Sequence, residues 1–333
     1  MAVKLSVCIP TYNRSDNLKE CLNSIFLSLK GHEKQVEIVI SNNASTDNTE
    51  TIVTEFQKIY PQLRYHRNQI NIGGERNFYT VANLAEGEYI WVFGDDDRIT
   101  VRAIPTILKQ IESGYNLIIS NYSMWSKDFS VVQKNRCLRL KQDKVFGDPN
   151  QLMKQFGLHL GYISSVIIRK SIFFILPREQ YETFVEYGFP FVYSVYIGMA
   201  QHCYALYISE PLVCNRSGNS GEYDWYKYFV TGSTLIFNTL STNGYSPSAI
   251  HAAKHQVLRD CVISHITLQK RQGNRNLKGV IKLIFPPYKG HWLFWAVCLP
   301  ILYAPGFMVK ILREIVVKYR RIGDRPGVSV NAE

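Results

Sequence analysis

The sequence lacks the paired cysteines that bind zinc or form redox-active disulfides. Its seven cysteines are scattered and odd in number, and no two of them have the Cys-x-x-Cys spacing. Several lie in apolar runs, where cysteine behaves as a small hydrophobic residue. We therefore expect reduced, structural cysteines, which are typical of a cytoplasmic protein.

The apolar stretch at the start of the sequence does not have the pattern of a secretory signal peptide. The apolar stretch 3–9 is too short for one and continues directly into Pro10-Thr-Tyr-Asn-Arg, without a small-residue cleavage site. We interpret this stretch as a first β-strand.

Acidic residues are in deficit. The chain has 27 Asp and Glu against 38 Lys and Arg, which gives a net charge of +11. This charge predicts an anionic partner, and nucleic acid, an acidic lipid surface and phosphorylated small molecules all fit. Because the basic residues are concentrated beside apolar sequence near the C-terminus and no nucleic-acid-binding motif is present, we expect no nucleic acid partner.

Strand and helix patterns alternate through the first 120 residues. Short β-type runs are separated by segments with apolar residues at helical spacing, such as Leu18, Leu22, Ile25 and Leu29. This alternation predicts an α/β fold with a mainly parallel sheet flanked by helices, and such sheets bind ligands beyond the carboxyl ends of their strands. The expected strands are 5–9, 36–40, 89–93, 117–119 and 166–169.

Three adjacent carboxylates, Asp95, Asp96 and Asp97, follow the apolar strand 89–93. They repel one another unless a cation or several hydrogen-bond donors hold them. Oxygen ligands of this kind suit Mg²⁺ or Mn²⁺, which bind through one or two carboxylates plus substrate phosphates. The alternative is a solvated acidic turn or a helix N-terminus that carries Asp residues.

Three further polar clusters are expected to lie at strand ends or in neighbouring loops: residues 10–14, 41–47 and 71–77. Each alone is also compatible with ordinary turn chemistry, since Asn, Asp, Ser and Gly favour turns. Their order along the chain, each in the expected place relative to a strand, favours a ligand site instead.

These motifs resemble family 2 glycosyltransferases with the GT-A fold, over roughly residues 3–215. Ile-Pro-Thr-Tyr-Asn-Arg is similar to the first-strand signature of that family, and Asn-Asn-Ala-Ser-Thr-Asp to its Asp-Asn-Gly-Ser-Thr-Asp. Gly-Asp-Asp-Asp occupies the position of the DXD motif. Phe-Gly-Asp-Asp-Asp-Arg and Asn-Ile-Gly-Gly-x-x-Asn-Phe look most like a bacterial branch that includes abequosyltransferase-like enzymes of surface polysaccharide assembly.

The resemblance implies a nucleotide-sugar site with a bound Mn²⁺ or Mg²⁺. Gly94 stands where the family has the first acidic residue of its motif, so which Asp binds the metal stays open. Asn42 replaces a base-contacting Asp, and because an amide both donates and accepts, a CDP-sugar is an option beside UDP- and dTDP-sugars. The resemblance implies that Pro10, Thr11, Tyr12 and Arg14 bind the donor and that Asn42 contacts its base. It also implies that Arg76 contacts the diphosphate, Asp95 the ribose, and Asp96 and Asp97 the metal.

Inverting transfer needs one carboxylate that takes the proton of the acceptor hydroxyl, and we expect it well downstream of the acidic motif. Glu186 is our choice, with Glu182 and Asp224 as alternatives; a solvated surface carboxylate is the other interpretation of Glu186. Residues 162–165 and 215–219 also resemble the bacterial branch and can shape the acceptor pocket, although a strand edge and a turn explain them equally well.

Residues 292–309 are almost wholly apolar, but this length is marginal for a membrane span and two prolines interrupt it. A basic segment, 310–321, follows. We predict a helical, membrane-associating C-terminal extension, peripheral or monotopic on the cytoplasmic face of the plasma membrane. A buried helical pair in the core or in a homo-oligomer interface is the alternative. The predicted domains are 1–220, catalytic, and 221–322, helical, before a disordered tail, 323–333.

The sequence therefore predicts an inverting glycosyltransferase. It moves a sugar from a nucleoside-diphosphate donor to a hydroxyl of a glycan acceptor, expected to be lipid-linked, in cell-surface polysaccharide assembly. A nucleotidyltransferase acting on sugar phosphates is one alternative, although the glycine-rich basic loop it usually carries after the first strand is missing. A non-catalytic scaffold at the membrane surface is the other, and the three intact Asp residues argue against it.

Overall fold

A computed structural model of the protein describes residues 2–218, 224–273, 277–306 and 308. Its centre is a sheet with the strand order β3-β2-β1-β4-β9-β6-β10-β5, while β7 pairs with β6 and β8 with β10. The strands are β1 (Leu5–Thr11), β2 (Val36–Asn42), β3 (Arg64–Arg67), β4 (Tyr89–Val92), β5 (Arg98–Ile99), β6 (Leu117–Trp125), β7 (Val132–Lys134), β8 (Lys144–Phe146), β9 (Val166–Arg169) and β10 (Ala205–Arg216).

The strands from the first part of the sequence pair mainly in parallel. Strands β3, β2, β1 and β4 are mutually parallel, and β6 is parallel to β10. Strand β9 runs antiparallel to both of its neighbours, β4 and β6. The predicted α/β fold with a mostly parallel sheet is confirmed, and β9 together with the antiparallel strands β5, β7 and β8 makes the sheet mixed.

Helices cover both faces of this sheet, which is why every residue of β1 and β2 is buried. One face packs against α1, α2 and α4, and the predicted stripe of Leu18, Leu22, Ile25 and Leu29 lies in that core. The other face packs against helices that include α3, α5 and α8. These helices are α1 (Ser15–Leu29), α2 (Thr49–Ile59), α3 (Gly74–Leu84), α4 (Ala103–Ile111), α5 (Pro149–Phe156), α6 (Lys170–Phe173), α7 (Arg178–Val185) and α8 (Pro190–His202).

The C-terminal third is helical, as the sequence predicts, and packs onto the second face of the sheet. Ile236, Leu240, Val257 and Ile266 belong to the same buried cluster as residues of β1 and β4. The helices are α9 (Ser233–Leu240), α10 (Pro247–Val257), α11 (Ile263–Arg271), α12 (Ile281–Tyr288) and α13 (Leu299–Tyr303), with π-helical turns at Lys227–Gly232, Leu258–Val262 and Phe294–Cys298.

No helix within the described ranges is long and apolar enough to cross a membrane. In the apolar segment after residue 291, Phe294, Cys298 and Leu302 are buried against the protein, whereas Trp292 and Trp295 are exposed. The predicted domain boundary at 220, the basic segment 310–321 and the tail 323–333 lie outside the described residues. The domain division therefore stays a prediction.

Candidate active site

A cleft of about 520 Å³ opens at the carboxyl ends of β1, β2 and β4. Its size lies within the range of ordinary small-molecule sites. The loops that follow these strands supply most of its walls, as expected for a sheet of this topology. Lining residues include Pro10, Thr11, Tyr12, Arg14, Asn43, Asn71, Asn77, Phe78, Asp95, Asp96, Asp97, Gly161, Tyr162 and Asn215.

Hydrogen bonds tie the loop after β1 to the loop after β2. Asn13 has a left-handed backbone, with φ of 51°, which turns the chain out of β1. Its N–H donates to Ser45 Oγ at 2.9 Å, and its Oδ1 accepts from the N–H of Thr46 at 2.7 Å. Asp47 accepts from the N–H of Ser15 at 2.8 Å at the start of α1. These bonds hold Thr11, Tyr12 and Arg14 against the end of the sheet.

Arg14 bridges two of the three clustered carboxylates. Its Nη1 lies 3.1 Å from Asp95 Oδ1 and 3.3 Å from Asp96 Oδ2. Burial raises the pKa of Asp95 to about 6, although the positive charge of Arg14 opposes that rise. Asp96 is the most exposed of the three acids. The guanidinium therefore holds together two carboxylates that would otherwise repel each other.

Asp97 is buried and hydrogen-bonded inside the protein. Its Oδ2 accepts from the hydroxyl of Tyr162 at 2.7 Å. Its Oδ1 accepts from Asn215 Nδ2 at 3.2 Å and from the N–H of Arg216 at 3.1 Å. Burial, together with the charge of Asp96, raises its pKa to about 7. Asp97 thus joins the acidic loop to β10 and to the segment before β9.

The donor set of this cleft fits a divalent cation that completes its coordination with phosphate. Within the described residues, no three His, Cys, Asp or Glu side chains are arranged to hold a metal ion by themselves. Mg²⁺ and Mn²⁺ need only one or two carboxylates when substrate phosphates supply the other oxygens. Asp96 fits that requirement, because its carboxylate is the most exposed of the three and its Oδ2 pairs with Arg14 alone among the described side-chain hydrogen bonds. Both oxygens of Asp97 already have donors.

Asn42 and its neighbour Asn43 take different positions at the end of β2. Asn42 is fully buried and does not line the cleft; its Nδ2 donates to Tyr65 Oη at 2.8 Å and its Oδ1 accepts from the N–H of Ser45 at 2.8 Å. Asn43 lines the cleft, and its Nδ2 donates to Asn71 Oδ1 at 2.8 Å. The contact of Asn42 with a base stays a prediction, and the residue that the structure brings to the cleft is Asn43.

The other carboxylates and the arginine predicted for chemistry do not line the cleft. Arg76 Nε pairs with Glu182 Oε2 at 2.8 Å beside it. The Glu186 side chain is 73% exposed and pairs with Lys227 Nζ at 3.1 Å. Asp224 is exposed, and its Oδ1 accepts from the N–H of Lys227 at 3.0 Å. The structure thus brings Pro10, Thr11, Tyr12, Arg14 and the three Asp residues together, and leaves these four outside.

Several cleft residues had no role in the sequence prediction. Asn77 is buried, and its Oδ1 accepts from Ser41 Oγ at 2.7 Å while its Nδ2 donates to the carbonyl of Ser41 at 2.8 Å, so it fastens α3 to β2. It ends the motif 71–77, and that position is the signal that could have identified it. Tyr162 and Asn215, considered only for the acceptor side, line the cleft through their bonds to Asp97.

Comparison with known proteins identifies the family. A family model described as Glycosyl transferase family 2 matches residues 6–174. The chain belongs to this family. It is a glycosyltransferase, and the predicted resemblance to the abequosyltransferase-like branch is confirmed by the relatives below.

Two curated relatives are similar in sequence. The abequosyltransferase RfbV of Salmonella typhimurium is 30% identical over 65% of this chain and 67% of its own length. The GalNAc(5)-diNAcBac-PP-undecaprenol beta-1,3-glucosyltransferase of Campylobacter jejuni is 32% identical over 38% of this chain. The chain spans only 42% of the length of this second relative.

Solved structures show the fold. TarS 1–349 of S. aureus, in complex with UDP-GlcNAc, aligns with a TM-score of 0.60 at 17% identity, over 84% of this chain and 78% of the TarS chain. The mannosyltransferase PcManGT of Pyrobaculum calidifontis, in complex with GDP-Man and Mn²⁺, aligns with a TM-score of 0.52 at 14% identity, over 91% of this chain and 88% of its own. The predicted GT-A-like fold is therefore confirmed.

Proposed function

We propose that this glycosyltransferase moves a hexose or deoxyhexose, with inversion, from a nucleoside-diphosphate sugar to a hydroxyl of a lipid-linked glycan in cell-surface polysaccharide assembly. The observation that carries the proposal is the cleft at the strand ends, where Tyr12, Arg14 and Asp96 meet. An aromatic ring, a guanidinium and a carboxylate suit a base, a diphosphate and a metal ion respectively. The Campylobacter relative, by its name, acts on an undecaprenol-linked glycan, which supports the acceptor class.

In the proposed mechanism the donor lies across the carboxyl ends of β1 and β4. Tyr12 is 43% exposed at the cleft and offers its ring to the base. Asn43 faces the same space with amide groups that can both donate and accept. Asp95 is assigned to the ribose and Asp96 to the metal ion, with Asp97 fixing the loop that carries both. Mg²⁺ or Mn²⁺, when bound, offsets the charge that develops on the departing diphosphate.

The general base stays a prediction for Glu186, with Glu182 and Asp224 as alternatives, and the structure adds Glu75 as a further candidate. Glu186 comes from the sequence, but its exposed pairing with Lys227 places it away from the cleft lining. Glu75, in the first turn of α3, does not line the cleft either, but it follows two glycines that do, and its Oε1 accepts from the N–H of Phe189 at 3.4 Å. Burial raises its pKa to about 7, which suits a group that must accept a proton near neutral pH. Replacing Glu186 and Glu75 by Gln, one at a time, shows which of the two carboxylates sugar transfer requires.

The membrane part of the proposal rests on exposed aromatic residues of the C-terminal helices. Trp292 is 67% exposed, Trp295 51% and Tyr303 63%. Aromatic side chains of this kind favour the headgroup region of a bilayer. We propose that these side chains hold the protein at a membrane surface, which we take, as the sequence predicts, to be the cytoplasmic face of the plasma membrane. Flotation with phosphatidylglycerol vesicles tests it: Trp292→Ser/Trp295→Ser should lose binding, and vesicle binding that the substitution leaves unchanged would contradict it.

The experiment for the activity measures donor hydrolysis and binding across UDP-, GDP-, dTDP- and CDP-sugars, with Mn²⁺, with Mg²⁺ and with chelator. We expect a metal-dependent response to one nucleotide that Asp96→Ala abolishes. Glu55→Ala, an exposed carboxylate on α2, is the matched control and should behave as wild type. A well-folded protein that responds to no donor would sink the proposal. Neither alternative function drawn from the sequence gains support from the comparisons.

A further inference from the structure

A second cavity adjoins the donor cleft. It has a volume of about 250 Å³ and shares Gly161 and Tyr162 with the cleft. We call it the aromatic cavity, because Phe189 and Phe229 form much of its wall with Leu158 and Val257. It lies just below the size of sites for drug-sized ligands, which suits one sugar ring.

Two residues with unusual local geometry, Phe189 and Gly161, lie in the wall between the donor cleft and the aromatic cavity. Phe189 has φ of 62° and adopts a left-handed conformation that costs a bulky residue energy. A Cβ on Gly161 would lie 3.1 Å from the Phe189 ring. The strained backbone of Phe189 therefore places its ring against Gly161, at the point where the donor cleft meets the aromatic cavity.

A third cavity continues from the far side of the second. It has a volume of about 160 Å³ and shares His159 and Gln256 with the aromatic cavity. We call it the basic cavity, because Arg139, Lys154 and Arg259 line it. Gln256 keeps its Oε1 buried without a hydrogen-bond partner among the described residues, which marks a polar group that a ligand or water can satisfy.

Asp260 organises the boundary of these two cavities. Its carboxylate binds Arg259 through two hydrogen bonds, at 2.8 and 2.7 Å, and it lies 3.3 Å from Arg139 Nη2 and 3.5 Å from His159 Nε2. Burial alone would raise the pKa of Asp260, but these hydrogen bonds hold that pKa below its usual value. One carboxylate thus faces the guanidinium groups of Arg259 and Arg139, and with Lys154 the basic cavity keeps an excess of positive charge.

We infer that the three cavities form one acceptor path, with the reacting sugar of the acceptor in the aromatic cavity and its phosphate group in the basic cavity against Arg139, Lys154 and Arg259. This inference rests on the proposed function and deepens it, because it names the acceptor as a glycosyl phosphate or diphosphate. Aromatic faces pack against sugar rings, and guanidinium groups bind phosphate in pairs of hydrogen bonds. Shared residues link the three spaces in that order. The acceptor hydroxyl then meets the donor at Gly161 and Tyr162.

The test measures binding of three soluble probes by calorimetry: inorganic pyrophosphate, glucose 1-phosphate and N-acetylglucosamine 1-phosphate. The donor cleft is first filled with the nucleoside diphosphate that the donor experiment identifies. Arg139→Gln/Lys154→Gln should weaken binding of at least one probe by roughly tenfold or more, since each lost charged hydrogen bond costs on the order of one pKd unit. Lys109→Gln, exposed on α4, is the control and should bind as wild type.

Donor hydrolysis by the same variants separates this inference from the proposed function, because hydrolysis needs only the donor cleft. It should be unchanged in the double variant, which also demonstrates correct folding; if the double variant does not fold, Lys154→Gln alone replaces it. Probe binding that is equal in all variants, or wild type that binds no probe, would overturn the inference. Loss of binding to phosphatidylglycerol vesicles without any probe binding would overturn it in favour of a lipid headgroup.

Discussion

The hydroxyl of Tyr162 donates to Asp97 Oδ2 at 2.7 Å, and this bond joins the wall of the donor cleft to its acidic loop. Tyr162 also lines the aromatic cavity and packs on Tyr122, with ring centroids 4.2 Å apart. A single side chain therefore touches both sides of the proposed reaction and holds a carboxylate beside Asp96.

Tyr162→Phe should destabilise the protein, because it removes one of the hydrogen bonds that hold a buried carboxylate. We expect a loss of about 1–3 kcal/mol in the free energy of unfolding, measured by urea denaturation. Donor hydrolysis should fall with it, since Asp97 supports the loop that carries Asp96. Tyr122→Phe keeps the ring contact and is the control; an equal loss in both variants would contradict the role of the hydroxyl.

Arg14→Gln should tighten Mn²⁺ binding to the free protein while it slows donor turnover. The guanidinium lies 3.3 Å from Asp96 Oδ2 and competes with a cation for that oxygen, but it also faces the donor phosphates. We expect turnover to fall by roughly tenfold or more, as for loss of one charged contact in a transition state. Mn²⁺ titration and initial rates measure the two effects. Arg102→Gln, paired with Glu210 on the surface, is the control, and weaker Mn²⁺ binding in Arg14→Gln would argue against the competition.

Glu75→Gln should stabilise the protein above neutral pH. Burial raises the pKa of Glu75 from 4.5 to about 7, so the folded state keeps a proton that the unfolded state releases. Stability from this group is full below pH 4.5 and is lost as the pH rises through 7. At pH 8 the variant should exceed wild type by at most about 3 kcal/mol, and at pH 4 the two should agree. A difference that does not change between these pH values would refute the shift.

Gly232→Ala tests how tightly the C-terminal helices pack on the catalytic core. A Cβ at this position would lie 1.9 Å from the carbonyl oxygen of Tyr187, which belongs to backbone and cannot rotate away. We expect thermal denaturation to reveal a loss of at least about 1–3 kcal/mol. Gly279→Ala is the matched control, because nothing lies within 4 Å of its Cβ position. Equal stability of the two variants would show that the contact is loose.

The sequence identified the strands whose residues form continuous apolar runs and missed those that do not. Strand β3 is a half-buried edge strand of Arg, Tyr, His and Arg, so neither a period of two nor an apolar run marks it. Strand β10 is long, but its pairing with β6 shifts register around Pro211, and the polar residues there break the pattern. Tertiary pairing, rather than local preference, determines both strands.

The sequence predicts which residues come together in the cleft better than it predicts which residues surround it. Motifs directly after β1 and β4 indicate Thr11, Tyr12, Arg14 and the three Asp residues, and these line one cleft because topology brings those strand ends together. The sequence does not show that Asn42, the last residue of a strand with a parallel partner on each side, uses its amide for hydrogen bonds with Ser45 and Tyr65. His159 and Asp260 lie a hundred residues apart in sequence, so no spacing could pair them.

The position of β10 determines when the donor cleft can be completed during synthesis of the chain. This strand lies between β6 and β5 in the sheet although it is the last strand within the described residues, and it supplies Asn215 and the N–H of Arg216 to Asp97. During translation the acidic loop therefore leaves the ribosome long before Asn215 and Arg216, whose hydrogen bonds hold Asp97. The nascent chain completes its donor cleft only after residue 216 emerges, and the wall with Asp260 comes later still. A fragment restricted to residues 6–174, the segment shared with the family, would leave Asp97 without either of these partners.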